Sequence, residues 1–204
     1  MNMEQGTGNE APSIPPLPLG ERGPGGEVTL PRVLSSTPIY KGRIIDVRVD
    51  EIEIEPGRVF KRDVVSHPGA VVILPVDAQG RILWITQYRY AAARTLLELP
   101  AGTLEEGEEP LETAKREIVE EVGFAADTWH DLGGFYSAPG FCSEYLYAYL
   151  ATGLHEDQAD GDEDEDITVL PLTLEETYAR LDAGEIIDAK SIATLLLYLR
   201  HASL

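Results

Sequence analysis

Gly102-Thr-Leu-Glu-Glu-Gly-Glu108, seven residues, then Arg116-Glu-Ile-Val-Glu-Glu-Val-Gly-Phe124 is the stretch on which the reading of this chain turns. Pro110 suits the first turn of a helix, where its missing N–H is no loss and its fixed φ is already helical. Glu108, Glu109 and Glu112 then lie near the positive end of the helix dipole. Leu111, Ala114, Ile118 and Val122 recur at spacings of three and four, the buried stripe of an amphipathic helix. Gly123 ends the run as a C-terminal cap does.

Glu117, Glu120 and Glu121 break two local rules at once. They crowd the C-terminal half of the helix, where the macrodipole disfavours negative charge. Glu117 and Glu121 are also spaced i,i+4, a repulsive like-charge pair. Arg116 can offset Glu120 at i+4 but is expected to leave the 117/121 pair alone. A helix that violates its own local preferences marks a functional site. Divalent cations would compensate the charge, and an all-oxygen donor set suits Mg²⁺ or Mn²⁺.

Outside this stretch the chain alternates strand and helix signals. Val47 and Val49 alternate with charged residues, as do Ile52 and Ile54, and Pro56-Gly57 marks a turn. The half-step between Val49 and Ile52 predicts a bulge or bend there. Ala70-Val-Val-Ile-Leu-Pro-Val76 is the continuous apolar run of a strand buried on both faces. Asp77-Ala-Gln-Gly80 turns the chain into a strand over Arg81 to Gln87. Further strands are expected over Leu132–Tyr136, Glu144–Leu150 and Ile167–Leu172. Two helices close the chain, Leu174 to Leu181 with Tyr178 and Leu181 as its stripe, and Asp188 to Leu199. This mixture predicts an α/β/α sandwich with a mixed sheet, preceded by an N-terminal antiparallel strand segment.

Residues 1–30 carry Ile14-Pro-Pro-Leu-Pro-Leu-Gly and Gly23-Pro-Gly-Gly with almost no apolar pattern, and a disordered tail is expected. Residues 31–65 form the strand segment, and 66–204 the main domain. The 204 residues carry a formal charge of −20, which argues against a nucleic-acid backbone or an anionic membrane as partner. No apolar run reaches the length of a membrane span, and no basic start with an apolar core marks a signal peptide. The single cysteine, Cys142, excludes an internal disulfide and fits a reducing cytoplasm.

The opening stretch resembles, position for position, the signature of the Nudix hydrolases: Gly, five residues, Glu, seven residues, then Arg-Glu-apolar-x-Glu-Glu-x-Gly-apolar. That resemblance implies the sandwich fold and the metal-dependent hydrolysis of a nucleoside diphosphate linked to another group. Gln87-Tyr-Arg-Tyr90, Leu97-Glu-Leu-Pro-Ala-Gly102, Ser137-Ala-Pro-Gly-Phe-Cys-Ser-Glu144 and Ile187-Asp-Ala-Lys190 look like the ADP-ribose pyrophosphatase branch. So does Pro139, sixteen positions after Gly123. The implied reaction is ADP-ribose plus water giving AMP and ribose 5-phosphate. The rivals are another nucleotide sugar such as GDP-mannose, a dinucleotide, or a sensor that binds ADP-ribose without cutting it.

The same resemblance distributes roles. Glu117 and Glu121 are metal ligands, joined by the main-chain carbonyl of Ala101 and by Glu165. Glu120 ligates or orients a second ion, and Arg116 braces the box carboxylates. Gly102 lets the backbone approach metal and phosphate closely. Glu163, within the acidic run Glu156 to Asp166, is the general base, with Glu144 as its competitor. Arg89 contacts the phosphates or terminal ribose, and Glu98 and Glu144 hydrogen-bond ribose hydroxyls. Family members are commonly homodimers in which N-terminal strands of the second chain reach the adenine. Tyr40 and Arg62 are the matching contacts here.

Overall fold

The computed structural model describes residues 30–157 and 167–202. Strands β1 (Arg32–Lys41), β2 (Asp46–Glu55) and β3 (Arg58–Ser66) pair antiparallel in the order β1-β2-β3. The predicted turn lies between β2 and β3, where Gly57 takes φ +81° and its N–H donates to Glu53 Oε1 at 2.9 Å.

The bulge is not where the half-step places it. β2 keeps an unbroken register with β3 from Asp46↔Ser66 to Glu53↔Val59. Two residues of β1 are skipped instead: Leu34, between Val33↔Ile52 and Ser35↔Glu51, and Ile39, between Pro38↔Arg48 and Tyr40↔Val47. Val47 and Val49 therefore lie on one face of β2 and Ile52 and Ile54 on the other, all half-buried.

β4 (Ala70–Pro75) is buried along its whole length. It pairs antiparallel with β7 (Ala101–Thr103) and parallel with β9 (Tyr145–Glu156), and β8 (Phe124–Tyr136) completes the order β7-β4-β9-β8. A second sheet runs β10 (Ile167–Leu172), β5 (Ile82–Arg89), β6 (Arg94–Glu98). Alternation along β4 divides the core into two layers. Val71 and Ile73 pack with Ala114, Ile118 and Val122 of helix α1 (Pro110–Val122). Val72 and Leu74 pack with Trp84, Leu172 and Leu195, the last from helix α3 (Ala189–Ala202). Helices thus cover both faces of a mixed sheet, the expected sandwich.

Helix α2 (Leu174–Asp182) opens with a reciprocal cap. Glu176 N–H donates to Thr173 Oγ1 at 3.2 Å, and Thr173 N–H donates to Glu176 Oε2 at 2.8 Å. Its inner stripe differs from the predicted one. Tyr178 is 42% exposed, while Thr177 is fully buried and accepts from Trp84 Nε1 at 3.2 Å. The face turned inward is Leu174, Thr177 and Leu181, because a buried indole N–H needs an acceptor. Among the described residues no helix is long and apolar enough to cross a membrane.

Candidate active site

α1 presents the box carboxylates to the short strand β7. Pro110 occupies its first turn, and Gly123 ends it at φ +76° with its N–H on Val119 O at 3.0 Å. Gly102 sits on β7 opposite Val71 without a positive φ, so its need for glycine is one of space. A Cβ at Gly102 would stand 1.9 Å from Glu117 Cδ and 1.9 Å from Glu117 Oε1. One residue earlier, Ala101 N–H donates to Glu121 Oε2 at 2.8 Å, and Glu121 is buried. The Ala101–Gly102 peptide therefore lies against the two carboxylates expected to bind metal.

Arg116 gathers the remaining charge. Its Nε and Nη2 donate to Glu108 Oε1 and Oε2, each at 3.2 Å. Its Nη1 donates to Glu117 Oε1 and Glu120 Oε2, each at 2.8 Å. The expectation that Arg116 leaves the 117/121 pair alone is corrected at Glu117, because one nitrogen of the planar fork reaches both Glu117 and Glu120. Partial burial pulls the Arg116 guanidinium down. The bond to Glu108 and the charges and bonds of Glu117 and Glu120 outweigh that and hold it above its ordinary value. Glu108 is lowered, chiefly by its bond from Arg116. Among the described residues no three acidic, histidine or cysteine side chains stand close enough to enclose an ion on their own. The oxygen donors nonetheless fit hard divalent ions, and the missing Cβ at Gly102 leaves the backbone bare beside them.

A cavity of about 300 Å³ opens beside β7, lined among others by Arg89, Glu98, Ala101, Gly102, Glu144 and Lys190. Five sequence-predicted residues thus converge. Glu98 is 1% exposed and accepts from Arg89 Nε at 3.0 Å and Arg89 Nη2 at 2.9 Å. It also pairs with Lys190 Nζ. Glu98 therefore holds two cations, where the sequence assigned it to ribose hydroxyls. Glu144 Oε1 lies 3.7 Å from His67 Nε2, and His67 Nδ1 accepts from Gly69 N–H at 3.0 Å.

The other predicted residues stand apart from this cavity. Pro139 is exposed in the loop that docks onto β3 through Val65 N–H to Phe141 O at 2.8 Å and Ser143 N–H to Val65 O at 3.0 Å. Tyr40 is 58% exposed on β1, and Arg62 lies over the Phe60 ring at 5.5 Å on β3. Glu163 and Glu165 lie outside the described residues. Both ends of their segment are placed, however. Asp157 N–H donates to Gly123 O at 3.1 Å, and Ile167 pairs with Gln87, two residues before Arg89.

Sequence reasoning missed Asp188, Lys190 and His67 as site residues. Asp188 caps α3, accepting from Ser191 N–H at 3.0 Å and Lys190 Nζ at 2.9 Å. Burial raises the Asp188 carboxyl, but Lys190 and the bonds from Ser191 outweigh it and hold it below the usual range. The Asp188-x-x-Ser191 spacing is a capping pattern that could have drawn attention to it.

The chain matches the NUDIX domain family over residues 65–195. It is 39% identical over 162 residues to an ADP-ribose pyrophosphatase of Bacillus subtilis (strain 168), a match covering 78% of this chain and 88% of that protein. It is 36% identical over 174 residues to a methanol dehydrogenase activator of Bacillus methanolicus, covering 84% and 94%. Among solved structures, a crystal structure of an ADP compounds hydrolase superposes with a TM-score of 0.79 at 22% identity, covering 88% of this chain and 97% of that one. At that identity the superposition speaks to the fold, which agrees with the sandwich described above. With the intact box on α1, the family match and these relatives, the chain belongs to the Nudix hydrolases.

Proposed function

We propose that this Nudix hydrolase cleaves ADP-ribose to AMP and ribose 5-phosphate with Mg²⁺ or Mn²⁺. The observation that carries the reading is the convergence of Arg89, Glu98 and Glu144 with the Ala101–Gly102 backbone in one cavity beside the box. The Bacillus subtilis relative's name supports the same substrate. The divalent ions, held by Glu117, Glu121, the Ala101 carbonyl and Glu165, would neutralise the pyrophosphate and acidify a water. Glu120 ligates or orients a second ion, and Arg116 keeps the carboxylates from repelling one another before ions arrive.

Arg89 donates to phosphate oxygens at the mouth of the cavity, and Glu98 fixes its aim. The bare backbone at Gly102 lets a phosphate come close. Glu163 accepts the proton of the attacking water. The anchors of its segment, at Gly123 on one side and Gln87 on the other, flank the box and the Arg89 strand. Glu144 contacts a ribose hydroxyl, and Pro139 shapes the loop that delivers it.

The active unit is a homodimer, with Tyr40 and Arg62 of each chain facing the adenine in the other's site. Supporting this, Val33, Ile39, Tyr40, Val59 and Phe60 of the β1–β3 sheet are exposed, apolar side chains that a partner chain would cover. Residues 31–65 then serve dimerisation, 66–204 catalysis, and 1–30 form a tail dispensable for both. The setting is the cytoplasm, and the charge of −20 argues against nucleic acid and anionic membrane as partners.

Incubation with ADP-ribose and Mg²⁺, followed by chromatography, should give AMP and ribose 5-phosphate in equal amounts, and a chelator should stop the reaction. Binding of ADP-ribose without any product would favour the sensor instead.

A further inference from the structure

The first turn of α3 is tied to the substrate cavity by a closed ring of hydrogen bonds. Leu99 N–H donates to Ser191 Oγ at 2.8 Å, and Ser191 Oγ–H donates to Asp188 Oδ2 at 2.7 Å. Lys190 Nζ donates to that same oxygen at 2.9 Å and also to Glu98 Oε2. Glu98 and Leu99 are sequence neighbours, so the ring closes through one peptide. Each of its two cross-links, Leu99 to Ser191 and Glu98 to Lys190, spans 92 residues of sequence.

Glu98 is the junction. It is 1% exposed, so its charge must be answered inside the protein. Two cations answer it: Arg89 through Nε and Nη2, spanning both carboxylate oxygens, and Lys190 through Nζ on Oε2. The Lys190 ammonium is itself mostly buried, with 15% of its side chain exposed, and is directed to two carboxylates. With Lys190 in place, Glu98 holds one orientation and presents one edge to the Arg89 guanidinium. Without it, a buried carboxylate would turn to Arg89 alone and draw that side chain away from the cavity mouth.

We propose that Lys190 is a positioning residue: acting through Glu98, it sets the aim of Arg89 on the substrate. This rests on the reading that Arg89 binds the substrate's phosphates or ribose. A residue working at one remove should alter substrate capture more than the chemical step. Its effect should vanish once the residue it acts on is gone.

Steady-state kinetics with Mg²⁺ and ADP-ribose test this on the full chain. Lys190→Met should raise KM roughly tenfold, the loss of one charge-assisted hydrogen bond, with kcat changed less than about threefold. Lys190→Arg, which keeps a cation facing Glu98, should recover most of the loss. In an Arg89→Met background, Lys190→Met should add no further rise. If Lys190→Met destabilises the fold, Glu98→Gln provides the same comparison, since Lys190→Gln placed on Glu98→Gln should leave KM where it was. A full additional rise in either background would mean that Lys190 meets the substrate itself, and would overturn the proposal. An unchanged KM in Lys190→Met while Arg89→Met raises it would overturn this inference alone. An unchanged KM in Arg89→Met would overturn it together with the role given to Arg89.

Discussion

Gly102 and Glu117 show how one missing methyl group can define a site. The Glu117 carboxylate occupies the volume where a side chain at 102 would begin, 1.9 Å from an ideal Cβ. Gly102→Ala must push Glu117 away from the Ala101–Gly102 peptide. It should leave the fold intact and cut turnover by roughly a hundredfold, the scale expected for a misplacement of about 1 Å, as read from kcat beside a circular-dichroism melt. Glu121→Gln makes a complementary case. The amide oxygen can still accept from Ala101 N–H, and the repulsion from Glu117 is relieved. Melting without metal should be unchanged or slightly higher, while turnover drops by orders of magnitude. A large fall in melting temperature with near-normal turnover would make Glu121 a structural residue.

At the scale of elements, α1 does two jobs with two faces. Ala114, Ile118 and Val122 fill the layer beneath β4, and the acidic face meets β7. Ile118→Ala, at a fully buried position, should cost about 2–5 kcal/mol in urea unfolding. Turnover per folded molecule should change little, because Ile118 packs in the core layer with Val71 and Ile73 and not on the acidic face of α1. The first turn of α3 carries a pH signature. Asp188 is held below the usual carboxylate range in the folded chain, so its contribution is present above its unfolded pKa, about 3.9. It is lost as pH falls through the folded value. The stability gap between wild type and Asp188→Asn should stay constant above about pH 5 and shrink in more acid solution. A gap that widened in acid would contradict the assignment.

These elements also show what a sequence can reveal. α1 was legible end to end, because its stripe, its Pro110 start and its Gly123 stop are local features. β4 was legible because burial on both faces leaves an unbroken apolar run. β6 and β7 were not, being short and separated by Leu99-Pro100 without alternation. β8 begins directly after Gly123, yet Ala125, Ala126 and Asp127 carry no strand period. The bulges lie on β1 and not at the half-step of β2, because registry belongs to a pair of strands, not to one. At the site, the box carboxylates and Arg116 were local. The Lys190–Glu98 pair joins residues far apart in sequence, and no spacing rule announces such a contact.

The chain combines a formal charge of −20 with exposed apolar side chains on the β1–β3 sheet. If β1–β3 mediate dimerisation, light scattering should give twice the chain mass, and Ile39→Glu, at a residue 61% exposed in the single chain, should halve it. A monomeric wild type would remove Tyr40 and Arg62 from the site. Deleting residues 1–30 should alter neither mass ratio nor melting. The charge of −20 means that an anionic substrate is drawn in by Arg89 and the divalent ions, not by the overall field. Added salt should therefore affect kcat/KM only weakly, since screening acts most on long-range attraction. The most direct test of the account is a kcat/KM comparison with Mg²⁺ across ADP-ribose, GDP-mannose and a dinucleotide, with products resolved by chromatography. The account predicts that ADP-ribose is preferred and yields AMP and ribose 5-phosphate. Turnover of GDP-mannose or the dinucleotide roughly a hundredfold more efficient than that of ADP-ribose, a difference of about 2.7 kcal/mol in transition-state binding, would contradict it.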